Sequence, residues 1–222
     1  MEEKNKPQAT EASSAASEKD KEKKAEKPKE KLTVRLAREL YDYAEIMVFA
    51  AIVVLLICSH CFRLCTVRGG SMEQTMYEGE CLLVSNICYE PEIGDILIFH
   101  QTSDTQARFN EPIVKRVIAT ERQWIDIDQK SGRVTVYDEN FENPQVLDES
   151  AYRYLEGGSW DSTLYLQYPV QVPEDHVFVM GDNRNNSADS STSDVIGFVD
   201  HRRILGRVLC RLTPFSKFGP VE

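Results

Sequence analysis

The sequence predicts a mainly β domain that follows a single membrane-spanning helix. Three observations lead to this prediction: an uninterrupted apolar run begins at Ile46, short β-branched and aromatic runs fill the chain after it, and turn-forming residues separate those runs. A Lys- and Glu-rich segment precedes the apolar run. We therefore divide the chain into a tail (1–40), a helix (41–62) and a β-rich domain (63–222).

The tail is predicted to be disordered and cytoplasmic. From Met1 to Lys31 it consists largely of Glu, Lys, Ala and Ser, with two prolines and no aromatic residue. Because so little apolar surface cannot offset the chain entropy lost on folding, we expect no packed structure there.

The apolar run extends over 17 residues, from Ile46 to Phe62, and Tyr41 and Tyr43 precede it. This segment just reaches the length of a membrane-spanning helix, which is about 17–25 residues. A buried core helix is the alternative, but no polar face interrupts the run. A cleavable signal peptide is disfavoured because about 45 hydrophilic residues come first and no small-x-small site follows.

The charges beside the helix predict its orientation. Five Lys or Arg residues lie between positions 27 and 38, whereas only Arg63 and Arg68 follow closely after the helix. Since the more basic side remains in the cytoplasm, we predict a single-pass protein of the plasma membrane with an extracytoplasmic domain.

The domain contains seven predicted strands that are separated by Gly, Asn, Asp and Pro. Ser131-Gly132 lies between the fourth predicted strand, Trp124–Asp128, and the fifth, Arg133–Tyr137, and predicts a β-hairpin there. The stretch 138–167 shows no clear period, and a short helix with loops is one interpretation of it. The predicted strands are Cys81–Ser85, Asp95–His100, Ile113–Ile118, Trp124–Asp128, Arg133–Tyr137, His176–Met180 and Ile204–Leu209.

The charge balance argues against a nucleic-acid partner. Residues 1–45 carry 11 Lys/Arg and 11 Asp/Glu, so the net charge of -10 falls on the rest of the chain. An acidic domain repels phosphate backbones, and neither a helix-turn-helix pattern nor interleaved aromatic and basic residues offset this repulsion.

The six cysteines do not form the pattern of a disulfide framework, because three of them lie in or beside the apolar run. Cys58 and Cys61 have the spacing of a metal or redox motif, but a small-residue face of a membrane helix explains them better. Cys81 and Cys88 are interpreted as free thiols, and a bridge between them stays open as an alternative. We predict no metal and no cofactor.

Ser71 and Lys115 are the first candidates for chemistry. Ser71 follows two glycines, which allow a ligand to approach the backbone closely, although such a serine is ordinarily only a loop residue. Strand alternation places Lys115 on the same face as Ile113 and Val117. Burial in an apolar setting lowers the pKa of a lysine, as a general base requires. The alternative is that only the aliphatic part of the Lys115 side chain is buried and that its charged amine reaches solvent.

The stretch from Gly181 to Ser190 follows a predicted strand and concentrates hydrogen-bonding groups in one turn. Several of its side chains are oxygen donors, as in a calcium site, but Arg184 lies among them and the order of a calcium-binding loop is absent. We therefore interpret it as a turn that is stabilised by its own hydrogen bonds.

Together these segments resemble bacterial type I signal peptidase, a family of serine proteases with a Ser/Lys dyad. The similarity extends from about Ile46 to the C-terminus. Four motifs carry it in the same order: Gly-x-Ser71-Met-x-x-Thr, Gly94-Asp-Ile-Leu-Ile-Phe, Val-Lys115-Arg-Val-Ile and Val-Met-Gly181-Asp-Asn-Arg-Asn-Asn-Ser-x-Asp-Ser.

The resemblance implies a signal-peptidase-like coiled or SH3-like β-barrel with Ser71 as nucleophile and Lys115 as base. It also implies that Ser187 and Asp189 orient the lysine and that Arg116, Asp182 and Arg184 have structural roles. The complete predicted set is Ser71 and Lys115 as catalytic residues, with Met72, Arg116, Asp182, Arg184, Ser187 and Asp189 as supporting residues.

The chain departs from the family pattern at several positions. Gln74 stands where the family has Pro, Ser191 stands where an Arg is expected, and the following Gly is displaced to Gly197. Ala119-Thr-Glu-Arg-Gln replaces a Gly- and Pro-containing stretch, and Gly69 occupies a position that is often Ser. Both reactive groups are nevertheless present.

By this resemblance the chain removes signal peptides from secreted preproteins at the lipid bilayer, through an acyl-enzyme. The alternative, which Gln74 and Ser191 motivate, is a tethered relative that binds signal peptides or partners without cleaving. A Ser-His-Asp protease is disfavoured because none of the four histidines lies in these motifs. A self-cleaving repressor is disfavoured because the tail cannot form a DNA-binding domain.

Overall fold

The computed structural model describes residues 32–101, 112–192 and 196–221. The predicted disorder of residues 1–31 lies outside the described residues.

Helix α1 extends from Leu32 to Cys61. It is long and apolar enough to cross a membrane, with a mean hydropathy of 2.3 over an 18-residue window in which no side chain is buried. This exposure argues against a buried core helix. The assignment as a membrane span stays a prediction.

The helix also corrects the predicted boundary of the tail. Residues 32–40 were assigned to the disordered segment, but they are helical. The physical reason is that the sequence from Leu32 to Cys61 contains neither proline nor glycine, and seven of its first ten residues are Leu, Ala, Arg or Glu, which are all good helix formers. The helix therefore continues upstream of the apolar run.

The strands form two antiparallel sheets. The larger sheet has the order β1-β2-β11-β3-β4-β9-β10 and the smaller one has the order β7-β6-β5-β8. In chain order the strands are β1 Phe62–Thr66, β2 Cys81–Ser85, β3 Ile96–His100, β4 Pro112–Ala119, β5 Trp124–Ile127, β6 Val134–Tyr137, β7 Gln145–Val146, β8 Val170–Gln171, β9 His176–Met180, β10 Val199–Asp200 and β11 Ile204–Thr213.

The prediction of a mainly β domain after one apolar helix is confirmed. The predicted coiled or SH3-like barrel is not a closed cylinder in the described part of the chain. Its strands form two open sheets instead. All seven predicted strands are present, and β5 pairs with β6 in the predicted hairpin, where Gly132 adopts a positive φ of 63°.

The structure adds four strands that were not predicted: β1, β7, β8 and β10. Three of them have only two residues, too few to show a period. The stretch 138–167 contains β7, loops and turns but no helix, so the short helix in its interpretation as a short helix with loops is wrong. Backbone hydrogen bonds to other parts of the domain hold this stretch, as at Tyr154, whose N–H donates to Asp182 O.

Strand β4 occupies an interior position of the larger sheet, between β3 and β9. Buried clusters cover both of its faces: Val117 packs with residues of β3 and β9, and Ile118 packs with residues of β5 and β6. Val114 contacts a third cluster that includes residues from the β1–β2 loop. Lys115 and Arg116 are therefore both buried, although they point to opposite faces.

Candidate active site

Ser71 lies in the loop between β1 and β2. Two backbone hydrogen bonds close this loop at its base, from Val67 N to Glu80 O and from Gly79 N to Val67 O, each 2.9 Å. Met72 and Met76 are buried beneath the turn, and Met76 N donates to Met72 O at 2.8 Å. The predicted supporting residue Met72 thus anchors the turn in the core and holds the neighbouring serine in place.

Lys115 reaches this turn from β4. Its Nζ lies 2.6 Å from Ser71 Oγ and 3.0 Å from Val114 O, and the residue is only 3% exposed. Burial lowers the pKa of Lys115 from 10.5 to about 8, against the opposing effect of the charges of Asp189 and Asp182. A neutral amine within hydrogen-bond reach of a hydroxyl is an arrangement suited to general-base activation of that hydroxyl.

A buried ion pair between Arg116 and Asp182 supports the site. Arg116 Nε donates to Asp182 Oδ1 at 2.9 Å and Nη2 donates to Oδ2 at 2.8 Å, while Nη1 donates to Gly94 O at 2.8 Å. The guanidinium lies 4.1 Å from the centre of the Tyr152 ring. Thr75 Oγ1 also donates to Asp182, so this carboxylate links β4 and the segment after β9 to the Ser71 turn.

A second buried ion pair joins Arg184 to Glu149. Arg184 Nη1 donates to Glu149 Oε2 at 3.0 Å and Nη2 donates to Oε1, while Nε donates to Gly181 O at 3.1 Å. Both side chains are buried. The guanidinium thereby connects the turn after β9, where Arg184 begins a short 3-10 helix, to the 138–167 stretch.

Asp189 is the centre of the turn between Gly181 and Ser191. Its Oδ2 accepts from Ser187 Oγ at 2.7 Å and from Gly181 N at 3.0 Å, and its Oδ1 accepts from Ser191 Oγ at 2.7 Å and Ser191 N at 3.0 Å. Residues of the turn itself supply these four donors, and Thr192 Oγ1, directly after the turn, is a fifth and longer donor to Oδ1 at 3.4 Å. These bonds agree with the interpretation of a turn stabilised by its own hydrogen bonds. Ser191, at the position where the resemblance predicts an arginine, thus contributes two neutral donors to Asp189.

Ser187 and Asp189 do not donate to or accept from Lys115 in the described part of the chain. Ser187 Oγ donates to Asp189, and the hydrogen bonds of Lys115 Nζ go to Ser71 and Val114. Asp189 instead acts on Lys115 through its charge, which opposes the lowering of the lysine pKa. Their role in orienting the lysine stays a prediction.

Sequence reasoning assigned no role to four residues that contact the predicted set: Thr75, Glu149, Tyr152 and Asn183. Thr75 lies within a motif of the resemblance and Asn183 lies within the turn after β9. Their places in these segments are the only sequence features that could have identified them. Glu149 and Tyr152 lie in the stretch without a period, where no signal marks them.

The described residues contain no group of three His, Cys, Asp or Glu side chains placed to hold a metal ion, and the cysteines there are free thiols.

Comparison with known proteins identifies the family. The model of the family described as signal peptidase, peptidase S26, matches residues 40–213. The chain is 31% identical to the probable signal peptidase I-2 of Synechocystis sp. over 157 residues, which cover 69% of this chain and 64% of that protein. It is 27% identical to signal peptidase IB of Staphylococcus aureus over 191 residues, which cover 82% of this chain and 94% of that protein.

A solved structure of a signal peptidase I from Enterococcus faecalis V583 is also similar, at 24% identity and a TM-score of 0.39, covering 54% of this chain and 97% of that one. The family match covers well over half of the chain, so the predicted resemblance is confirmed, and with it the expectation of a serine endopeptidase family. The chain belongs to the signal peptidase family, peptidase S26.

Proposed function

We propose that this protein is a membrane-anchored endopeptidase that removes signal peptides from secretory preproteins, with Ser71 as nucleophile and Lys115 as general base. In this proposal residues 1–40 are cytoplasmic, the apolar part of α1 is the anchor, and residues 63–222 are an extracytoplasmic peptidase domain. The names of the relatives, which are signal peptidases, support the substrate class.

One observation carries the proposal: the 2.6 Å separation of Lys115 Nζ and Ser71 Oγ within a buried setting. A serine hydroxyl is a weak nucleophile until a base takes its proton, and a lysine can act as that base only when it is neutral. With a pKa of about 8, roughly one lysine in ten is neutral at pH 7, whereas an unperturbed lysine is almost entirely charged.

The reaction proceeds in two halves. Neutral Lys115 accepts the Ser71 proton as Oγ attacks the scissile carbonyl carbon, and the Ser71 N–H donates to the oxyanion that forms. The C–N bond then breaks, the leaving amine takes the proton from Lys115, and the signal peptide remains as an ester on Ser71. Water then gives a proton to Lys115 as its oxygen attacks the ester carbon; the bond from this carbon to Ser71 Oγ breaks, and Lys115 returns the proton to Oγ, which releases the signal peptide carboxylate and restores the Ser71 hydroxyl.

The preprotein is proposed to bind as an extended segment along a sheet edge, with two small side chains in apolar pockets before the cleaved bond. The anchor supports this mode of action, because enzyme and signal peptide both lie at one bilayer. Confinement to the same surface raises the effective concentration of the signal peptide near the enzyme without any additional contact.

The function is tested with the purified full chain in lipid vesicles and a secretory preprotein that has Ala at the two positions for small residues. We expect a single cut after the second Ala, identified by N-terminal sequencing of the released protein. A matched preprotein with Leu at both positions is expected to react at least about tenfold more slowly, because the added methylenes overfill small pockets.

Failure of the wild-type protein to cut the Ala preprotein, while still binding it, would instead support the tethered relative that binds without cleaving. Equal cutting of the Ala and Leu preproteins would contradict the proposed pockets but not the peptidase reaction. The experiment therefore separates the reaction from its specificity.

The pH dependence of cleavage reports the base. Since only neutral Lys115 accepts the proton, kcat/KM is expected to rise with pH, to reach half of its maximum near pH 8 and then to level off. The measurement is the initial rate at low substrate concentration and constant ionic strength, with the fold monitored by circular dichroism at each pH. A rate that does not change between about pH 6 and pH 9 would contradict Lys115 as the base.

A further inference from the structure

Asn183 holds the turn that contains Ser71 at two neighbouring points. Its backbone N–H donates to Ser71 O at 3.0 Å, and its side-chain Nδ2 donates to Gly70 O at 3.2 Å. Asn183 is fully buried, and Gly181, two residues earlier, lies so close to Ser71 that a Cβ atom there would be 2.5 Å from Ser71 O. The segment after β9 therefore packs directly against the nucleophile turn.

The bond to Gly70 O has a consequence for the Ser71 N–H. The carbonyl of Gly70 and the N–H of Ser71 belong to the same planar peptide unit, so fixing the direction of one fixes the direction of the other. Glu73 N also donates to Gly70 O, at 3.2 Å. Two donors thus hold this carbonyl, while the Ser71 N–H has no acceptor within the described part of the chain.

The second bond acts on the next peptide unit. Ser71 O accepts from the Asn183 N–H, which restrains the peptide between Ser71 and Met72. Asn183 therefore restrains both peptide units that flank the nucleophile. Rotation of the Ser71 N–H away from its present direction would break the Nδ2 bond to Gly70 O.

The remaining oxygen of the Asn183 side chain is buried without a hydrogen-bond partner in the described residues. A buried acceptor that lacks a partner is unfavourable and uncommon in folded proteins. The position therefore carries a polar side chain at an energetic cost, and the donor that this side chain supplies goes to Gly70 O.

We propose that Asn183 is a positioning residue for the oxyanion donor: it orients the Gly70–Ser71 peptide so that the Ser71 N–H faces the oxygen that becomes negative in the reaction. This inference rests on the proposed peptidase function. Asn183 does not contact the reacting atoms, and it acts through the Ser71 turn.

The test compares Asn183→Ala with Asn185→Ala in the full chain. Asn185 lies in the same turn and makes side-chain hydrogen bonds to Glu156 O and Ser159 O and with the Asp161 N–H, none of which reaches the nucleophile turn. We expect Asn183→Ala to lower kcat by about 10²-fold, the lower limit for loss of an oxyanion donor, with little change in KM. Asn185→Ala is expected to retain kcat within about threefold.

A transition-state analogue separates positioning from general loosening of the fold. A peptide aldehyde with the sequence of a signal-peptide end adds reversibly to Ser71 Oγ and places its oxygen in the oxyanion site, whereas the matching peptide alcohol binds without adding. Asn183→Ala is expected to weaken inhibition by the aldehyde by about 10²-fold and to leave inhibition by the alcohol unchanged. Equal weakening of both inhibitors would overturn the proposal.

Asn183→Asp provides a second variant of the same shape, in case Asn183→Ala does not fold. Its carboxylate oxygen faces Gly70 O in place of the donor, so the loss of kcat is expected to be at least as large. If the wild type cleaves and a folded Asn183 variant matches Asn185→Ala, the inference fails and the proposed function stands. If the wild type does not cleave, the proposed function fails, and the inference, which depends on it, fails as well.

Discussion

Replacement of Ser71 by Ala or of Lys115 by Met is expected to lower the rate of preprotein cleavage by about 10⁴-fold or more. Ser71→Ala removes the atom that forms the ester, and Lys115→Met removes the base that lies 2.6 Å from it. Because the two groups act as a unit, the double variant is expected to be no slower than either single variant. The measurement is single-turnover cleavage with the full chain in lipid vesicles.

The Lys115→Met variant is also expected to be more stable than the wild type. The folded pKa of Lys115 is about 8, below its value of 10.5 in an exposed setting, so the folded state binds fewer protons between these pH values. Stability of the wild type therefore rises with pH across this window, and below pH 8 the buried ammonium costs about 3 kcal/mol. Met has a similar shape and no charge, so it avoids this cost.

The stability gain is measured by chemical unfolding of the full chain in detergent at several pH values. At neutral pH we expect Lys115→Met to exceed the wild type by up to about 3 kcal/mol, with a difference that shrinks as the pH rises from 8 towards 10.5. Ser216→Ala and Lys130→Ala, at exposed positions, serve as matched controls and are expected to change neither rate nor stability. Cleavage by Ser71→Ala at more than about one tenth of the wild-type rate would exclude Ser71 as nucleophile.

The parts of the fold that local pattern determines were predictable. Alternating β-branched residues in Trp124–Ile127 and Val134–Tyr137, with Gly132 in the turn, are a local signal that indicates a hairpin. Two-residue strands such as Val199–Asp200 exist only because a longer strand offers free backbone groups beside them. Such a strand has no local pattern, so the sequence alone does not reveal it.

The candidate site divides in the same way. Ser71 and Lys115 are 44 positions apart in the sequence, with no local signal that the two side chains meet, and only the resemblance to a family suggested it. The polar partners of the supporting residues are also distant in sequence, as for Glu149 and Arg184. The stretch 138–167 lacks a period because bonds of this kind, rather than an apolar face, hold it in place.

The buried pair of Arg184 and Glu149 leads to the second large prediction. Only 0% and 4% of these side chains are exposed, so removal of one partner leaves a charge in the interior without its ion-pair partner and away from water. We expect Glu149→Leu to lower the free energy of unfolding by about 3–5 kcal/mol, and the double variant Glu149→Leu/Arg184→Met to recover most of this loss. Both values are measured by chemical unfolding of the full chain in detergent.

The exposed pair of Arg122 and Glu174 provides the matched control, since 49% and 67% of these side chains are exposed. Glu174→Leu is expected to change the free energy of unfolding by at most about 1 kcal/mol, because water stabilises the arginine that remains. If Glu149→Leu lowered the free energy of unfolding by no more than Glu174→Leu does, Arg184 would have to contact solvent or another partner when Glu149 is absent. In that case the turn that carries Ser187 and Asp189 would not depend on this ion pair for its position.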